Sequence, residues 1–363
     1  MLIGIDASRA SGKFRTGTEN YSLNLILSLA KIDQRNNYVL YLRQGYDSQL
    51  NNLPGNFKLK IIKNKWLWTQ IGLSSEMYFS PPDVLFIPSH ILPIITPEKS
   101  VVTIHDFAWK YFPEAYTRRE IRLQNLAIKR AIKKKATIIV YSHSTYSDLK
   151  KFYHLPSNLI KFVPMGFEPA KSSCLLSVRL KKLITARYIL SVGRLEKKKN
   201  TLNLIKAYAM LRNERKIKEK LVLVGKPGFG YEQIKKEIKK NKKIKEDIIE
   251  TGFVSDEELF ALYRATSLFA FPSFYEGFGF PILEAFAAGT PVVTSKTSSM
   301  PEVANGAALL INPKKPFEIA AAMSQILNKP NLKTKLIRSG RRQLKKYDWE
   351  ICAKETLAIL ERR

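Results

Sequence analysis

Two glutamates, Glu276 and Glu284, flank the run Gly277-Phe278-Gly279-Phe280-Pro281-Ile282-Leu283. Pro281 suits the first turn of a helix, where a missing N–H costs nothing, so the spacing predicts Glu276 in a loop and Glu284 in that first turn. Unpaired N–H groups and the helix dipole at such an end favour an anion. The carboxylates repel an anion and accept hydrogen bonds from hydroxyls. A ligand carrying both phosphate and sugar hydroxyls meets both demands. Taken alone, a glutamate beside a glycine can equally be an ordinary helix cap. Two further groups have chemical types worth placing. In Gly193-Arg194-Leu195-Glu196-Lys197-Lys198-Lys199-Asn200, Arg194 and one lysine can clamp a diphosphate. His105-Asp106 follows the apolar run Val101 to Ile104, where an imidazole can meet a ligand or make a structural hydrogen bond.

The elements that must position these residues are legible as apolar runs. In the first half, strands are expected at Leu2 to Asp6, Tyr38 to Leu42, Leu59 to Ile62, Val84 to Ile87, Val101 to Ile104, Thr137 to Tyr141 and Ile160 to Val163. A loop with Gly12 and Gly17 leads into a helix from about Glu19, with Leu23, Ile26, Leu27 and Ala30 on one face. That loop lacks the GxGxxG pattern. The polar run from Pro169 to about Thr185 reads as a linker. Beyond it, strands at Tyr188 to Val192, Leu221 to Val224, Leu268 to Phe271, Val292 to Thr294 and Ala308 to Ile311 alternate with helical segments. Strand and helix alternating twice over predicts an α/β chain of two doubly wound Rossmann-like domains facing across a cleft. The strand-end residues are then the ligand-facing ones.

Composition narrows the function classes. The 363 residues suffice for two cores, and 45% hydrophobic content excludes disorder. Cys174 and Cys352 stand far apart without histidines at ligand spacing, which indicates neither a disulfide framework nor a zinc site and fits a reducing cytoplasm. No basic leader precedes the first strand, and prolines interrupt the apolar stretch Val84 to Ile95, so neither a signal peptide nor a membrane span is expected. The net charge of +30 suits an anionic membrane, a nucleic acid or phosphorylated ligands, and equally a surface of solvated lysines such as those at 235, 236, 239, 240, 242 and 243. A helix from Thr117 to about Lys135 combines the apolar stripe Ile121, Ile128 and Ile132 with a face of Arg119, Arg122, Lys129, Arg130, Lys133 and Lys134. Leu123 and Leu126 interrupt that face, a mix suited to a bilayer surface.

The chain as a whole resembles retaining glycosyltransferases of the GT-B fold, within them glycosyltransferase family 4 and its mannosyltransferase-like group. The most specific piece is EGFGFPILE, similar to that family's E-x7-E motif; GRLEKKKN, LVLVGKPGFG, TGFVSDEEL, GTPVVTS, VPMGFEP and His105-Asp106 support it. The resemblance implies an acceptor-binding domain over 1–168, a nucleotide-sugar-binding domain over 169–345, and a segment over 346–363 whose helix crosses back to the first domain. It also implies roles. Arg194 and Lys199 would hold the donor diphosphate, Glu276 the transferred sugar and Glu284 the ribose. Gly17 would approach the donor by backbone, Gly225 and Val254 would meet the base, Phe278 and Gly279 would line the sugar pocket, and His105 would contact sugar or acceptor. Without an Asp-x-Asp motif, cationic side chains replace a metal, so no metal cofactor is expected. The implied donor is a nucleotide-sugar, GDP-mannose ahead of a UDP-hexose. The implied acceptor is a saccharide or lipid-linked saccharide of cell-surface polysaccharide assembly, met at the inner face of the cell membrane. Two rivals from other classes remain: a sugar-nucleotide epimerase of the same two-domain fold, and a basic nucleic-acid-binding protein, although no nucleic-acid module is recognisable.

Overall fold

The computed structural model describes residues 1–10, 17–44, 48–64, 66–89, 91–169, 176–214, 216–241 and 243–362; Gly12, Cys174 and Lys242 lie outside the described residues. The chain divides into two compact units, Met1–Glu168 with Tyr347–Arg363, and Pro169–Lys346.

In the first unit β1 (Leu2–Asp6), β2 (Asn37–Leu42), β3 (Phe57–Ile61), β4 (Val84–Ile87), β5 (Ser100–Thr103), β6 (Thr137–Val140) and β7 (Ile160–Phe162) form a parallel sheet in the order β3-β2-β1-β4-β5-β6-β7. All four residues of β4 are buried, because a strand with both faces covered has no solvent side to mark with polar residues. The first helix, Gly17–Ile32, starts before the expected Glu19, and its buried set is wider than one stripe. Leu25 and Leu29 are buried and Leu27 is only half-buried. The reason is a second covering element: the C-terminal helix, Trp349–Glu361, packs against it. Trp349 requires Gly166, since a Cβ there would lie 2.2 Å from the indole. At the other end of that helix the Glu361 carboxylate accepts from Asn36 Nδ2 at 2.8 Å, and the Lys99 ammonium donates to the carbonyls of Leu360 and Arg362. The last segment therefore belongs to the first unit.

The second unit holds β8 (Tyr188–Val192), β9 (Lys220–Val224), β10 (Ile248–Gly252), β11 (Leu268–Phe271), β12 (Val292–Ser295) and β13 (Ala308–Ile311), all parallel in the order β10-β9-β8-β11-β12-β13. β10 was not among the expected strands. It sits at the sheet edge and alternates: Ile249 and Thr251 are buried, while Glu250 turns out to meet Lys235 and Tyr231. The expected linker also contains order, a short helix at Val178–Leu183 capped by the Ser177 hydroxyl and anchored by buried Leu180. The helix after Glu276 runs Phe280–Ala287, one residue earlier than Pro281, because Gly279 takes φ +118° and turns the chain directly into it. Glu284 consequently falls beyond the first turn.

Candidate active site

The strand order of the second unit reverses between β8 and β11, and open α/β sheets bind ligands outside the carboxyl ends of strands at such a reversal. The segments leaving these two strands carry Arg194 to Lys199 and Glu276. Asn200 ties them: its amide donates to the carbonyls of Pro272 (2.9 Å) and Pro313 (2.7 Å), while Phe274 N donates to Lys198 O at 2.9 Å. Lys199 Nζ then reaches Glu276 Oε1 at 2.7 Å and lies 5.1 Å above the Phe271 ring. Behind Glu276, the Ser298 hydroxyl donates to its carbonyl (2.5 Å) and accepts from its N–H (3.2 Å), and Ser299 Oγ lies 2.9 Å from the same carbonyl and 2.5 Å from that of Phe278. Ser298 holds this position at φ +56°, an uncommon conformation for a residue with a side chain. Arg194 is different. Its guanidinium is largely exposed, 3.9 Å from Glu196.

Glu276 is buried, Glu284 half-buried, and the two are electrostatically unlike. Burial alone would raise the Glu276 carboxyl; the charges of Lys199 and Lys198 and the Lys199 hydrogen bond outweigh it and hold the group below the usual carboxylate range. No cation among the described residues pairs with Glu284. Burial pushes it up to about 7; the hydrogen bond from Tyr263 and the charge of Lys199 oppose that rise, while Asp256 adds to it. Tyr263 Oη donates to Glu284 Oε2 at 2.9 Å, and its own backbone carbonyl accepts from Thr290 Oγ1 at 2.5 Å.

The remaining candidates occupy the neighbouring strand ends. Gly225, at φ +139°, lets the loops after β8 and β9 pass backbone to backbone, since a Cβ would lie 2.1 Å from Gly193 O. Gly225 N donates to Gly252 O at 3.0 Å, which brings the Gly252 to Val254 turn beside it, with Val254 buried. Phe278 is buried edge-on to Phe280, centroids 5.2 Å apart, and Gly279 caps the helix without a side chain. Gly17 and His105 belong to the first unit. Gly17 opens its first helix, exposed. His105 is buried, with Nε2 2.7 Å from Pro88 O and Nδ1 2.8 Å from Tyr141 Oη. A carbonyl only accepts, so Nε2 carries the proton and, in the neutral ring, Nδ1 accepts from the phenol.

Residues 179–343 match the family described as Glycosyl transferases group 1. The second unit therefore carries this family's domain. Among curated relatives of this glycosyltransferase, the O-antigen chain mannosyltransferase B of Escherichia coli is 29% identical over 72% of this chain and 69% of its own length. The MMP alpha-(1->4)-mannosyltransferase of Mycolicibacterium hassiacum is 29% identical over 64% of this chain and 56% of its own. Among solved structures, the crystal structure of WaaG, a glycosyltransferase involved in lipopolysaccharide biosynthesis, superposes with a TM-score of 0.73 at 16% identity over 99% of this chain and 100% of that one. The fold is GT-B. The matched family segment contains every candidate except Gly17 and His105.

Three features of this glycosyltransferase escaped the sequence reading. The Lys199–Glu276 ion pair joins residues to which separate roles had been assigned. Tyr263 supports Glu284, and Ser298 with Ser299 supports Glu276, yet phenols and hydroxyls that act on other side chains or backbone carry no motif of their own. The αL conformations at Ser298 and Asn200 are signals that only coordinates display.

Proposed function

We propose that this enzyme moves a hexosyl unit, foremost mannosyl from GDP-mannose, onto a saccharide or lipid-linked saccharide of a cell-surface polysaccharide, with retention of anomeric configuration. The observation that carries this reading is the Lys199–Glu276 pair beside exposed Arg194 at the reversal of strand order. An ammonium has three donors, so Lys199 can keep Glu276 and still donate to a diphosphate oxygen, with Arg194 supplying a bidentate partner to the same group. Glu276 accepts hydroxyls of the transferred sugar, and Glu284, once ionised, those of the ribose. Gly225 and Val254 border the base, Phe278 and Gly279 the sugar. As the anomeric C–O bond breaks, its electron pair passes to the diphosphate, whose added charge Arg194 and Lys199 neutralise. The acceptor oxygen bonds on the same face and its proton passes to the leaving phosphate. The first unit, with Gly17 and His105, is assigned the acceptor, and the enzyme works at the inner face of the membrane. The mannosyltransferase names of the two curated relatives support the donor sugar.

A panel of GDP- and UDP-sugars, tested by thermal shift and by nucleoside diphosphate release with a lipid-linked saccharide extract, checks this. Stabilisation and release specific to GDP-mannose is the expected result. Response to UDP-hexoses alone would move the donor to the runner-up, and response to none would overturn the reading.

A further inference from the structure

The chain carries 61 lysines and arginines, yet the run from Trp66 to Glu98 contains none. In the first unit that run surfaces as an apolar patch. Trp66 is 83% exposed, Phe79 77% and Tyr78 68%, with Leu67, Ile71 and Ile94 also exposed. Leu67 sits at φ 48°, a strained conformation for a bulky aliphatic residue, and its side chain gains no burial in exchange. Large apolar side chains gathered in this way mark an interaction surface.

The patch is built from three segments tied by polar contacts beneath it. Gln70, in the π-helical turn Trp68–Leu73, donates from Nε2 to Leu92 O at 3.2 Å and accepts from Arg130 Nη1 at 2.5 Å. Ser74 Oγ, at the start of the helix Ser74–Phe79, accepts from Ile94 N at 2.9 Å. Arg130 belongs to the basic helix Arg118–Lys133, in which Leu123 and Leu126 precede it by seven and four positions on the same face, and both leucines are exposed. The apolar face of that helix thus continues onto the patch. Arg130 is a strut within it, and this revises the sequence reading, which counted Arg130 with the outward bases. Arg119, Arg122, Lys129, Lys133 and Lys134 remain exposed around the rim, and the one acid of the helix, Glu120, closes a capping box with Thr117.

We infer that this composite face docks on an anionic lipid bilayer, with Trp66, Leu67, Tyr78 and Phe79 entering the headgroup layer and the basic helix lying on its charge. The inference rests on the membrane-peripheral part of the proposed function and gives it a surface. Charge selects the occupant. A second copy placed symmetrically on the patch would bring two arginine- and lysine-rich helices together, whereas anionic headgroups neutralise them. Indole and phenol rings are amphipathic and favour the interface between water and acyl chains. No described helix is long and apolar enough to cross a membrane, so the contact is superficial.

Trp66 gives a direct readout, because Trp68, Trp109 and Trp349 are buried. The full-length protein is titrated with vesicles of phosphatidylglycerol and phosphatidylcholine, with and without brominated acyl chains. Expected are a blue shift and bromine quenching with the anionic vesicles, both lost in Trp66→Phe. In co-sedimentation, Trp66→Ser/Phe79→Ser is expected to lower partitioning about tenfold, and Arg119→Gln/Arg122→Gln/Lys133→Gln to abolish its dependence on lipid charge. Phe317→Ser, which removes an exposed phenylalanine of the other unit, serves as the control and is expected to bind as wild type. Equal partitioning of Trp66→Ser/Phe79→Ser and wild type, or Trp66 emission indifferent to vesicles, overturns the inference. So does a lipid-free dimer in sedimentation velocity that Trp66→Ser dissociates. Nucleotide-sugar turnover in the absence of lipid, unchanged in these variants, separates failure of this surface from failure of the proposed reaction.

Discussion

Glu276 and Glu284 occupy one stretch of chain, yet the buried one is held ionised and the half-buried one is poised near neutrality. The difference lies in what faces each carboxylate. An ammonium at 2.7 Å outweighs desolvation at Glu276, whereas at Glu284 a neutral phenol at 2.9 Å does not. Burial therefore sets the cost of a charge in this site, and the partner decides whether the charge persists. A loop carboxylate that stays ionised suits a sugar whose anomeric carbon becomes cationic. One that ionises near pH 7 would, in its proposed role, make nucleotide binding responsive to pH.

The strongest way to break this contrast is Lys199→Ala. It strands a buried carboxylate and removes the proposed phosphate donor, a loss of about 3 kcal/mol or more, so turnover should fall at least a hundredfold. A cycle with Glu276→Gln sharpens it: the double variant should be far less impaired than the product of the singles. Strict additivity in steady-state kinetics would mean that the pair is not functionally coupled.

Next in size is Glu284. Its folded pKa of about 7 lies above the ordinary 4.5, so its contribution to stability is complete below 4.5 and is lost as pH rises through 7. Compared with Glu284→Gln, the wild type should lose of order 3 kcal/mol between pH 4.5 and 8. Denaturant melts at several pH values measure this. Ligand hydroxyls prefer the ionised form, so donor affinity should move the other way, tightening as pH rises toward 7 and levelling above it. Glu284→Gln should bind with little pH dependence, and an equally steep profile in calorimetry would remove Glu284 from the nucleotide site.

Tyr263→Phe is a gentler test. The lost hydrogen bond favoured the carboxylate, so the pH midpoint for donor binding should rise by up to about one unit with kcat little changed. A midpoint that stays in place would reduce Tyr263 to packing. The smallest effect is expected from Ser298→Ala, a loss of about threefold to tenfold in kcat, because Ser299 still holds the Glu276 carbonyl. A larger loss would show that the αL serine, rather than the cation, governs where Glu276 points.

Most strands were readable because both faces of a parallel sheet are buried and leave continuous apolar runs such as Leu221-Val222-Leu223-Val224. The exception, Ile248–Gly252, is an edge strand whose Glu250 pairs outward, so its pattern is no longer that of a buried run. The six-residue helix Val178–Leu183 was hidden in a polar segment for a similar reason: Leu180 is its sole buried residue. In the candidate site, glycines and charges marked the loops that the structure places at the strand ends, since close backbone approach imposes residue types locally. His105 was found by its place after a strand, but its bonds to Pro88 and Tyr141 could not be.

By itself the sequence determined the two α/β series, the loops that carry charge at strand ends, and the motif by which the chain joins its family. These are consequences of periodicity and of residue types within a few positions. The tertiary structure alone decided that Lys199 faces Glu276, that Tyr263 faces Glu284, and that Arg130 bonds Gln70 beneath exposed Trp66. Each pairing spans elements separated by many residues, and the interaction that sets a carboxylate's charge, or leaves an indole in solvent, depends on a distance through space that no local pattern encodes.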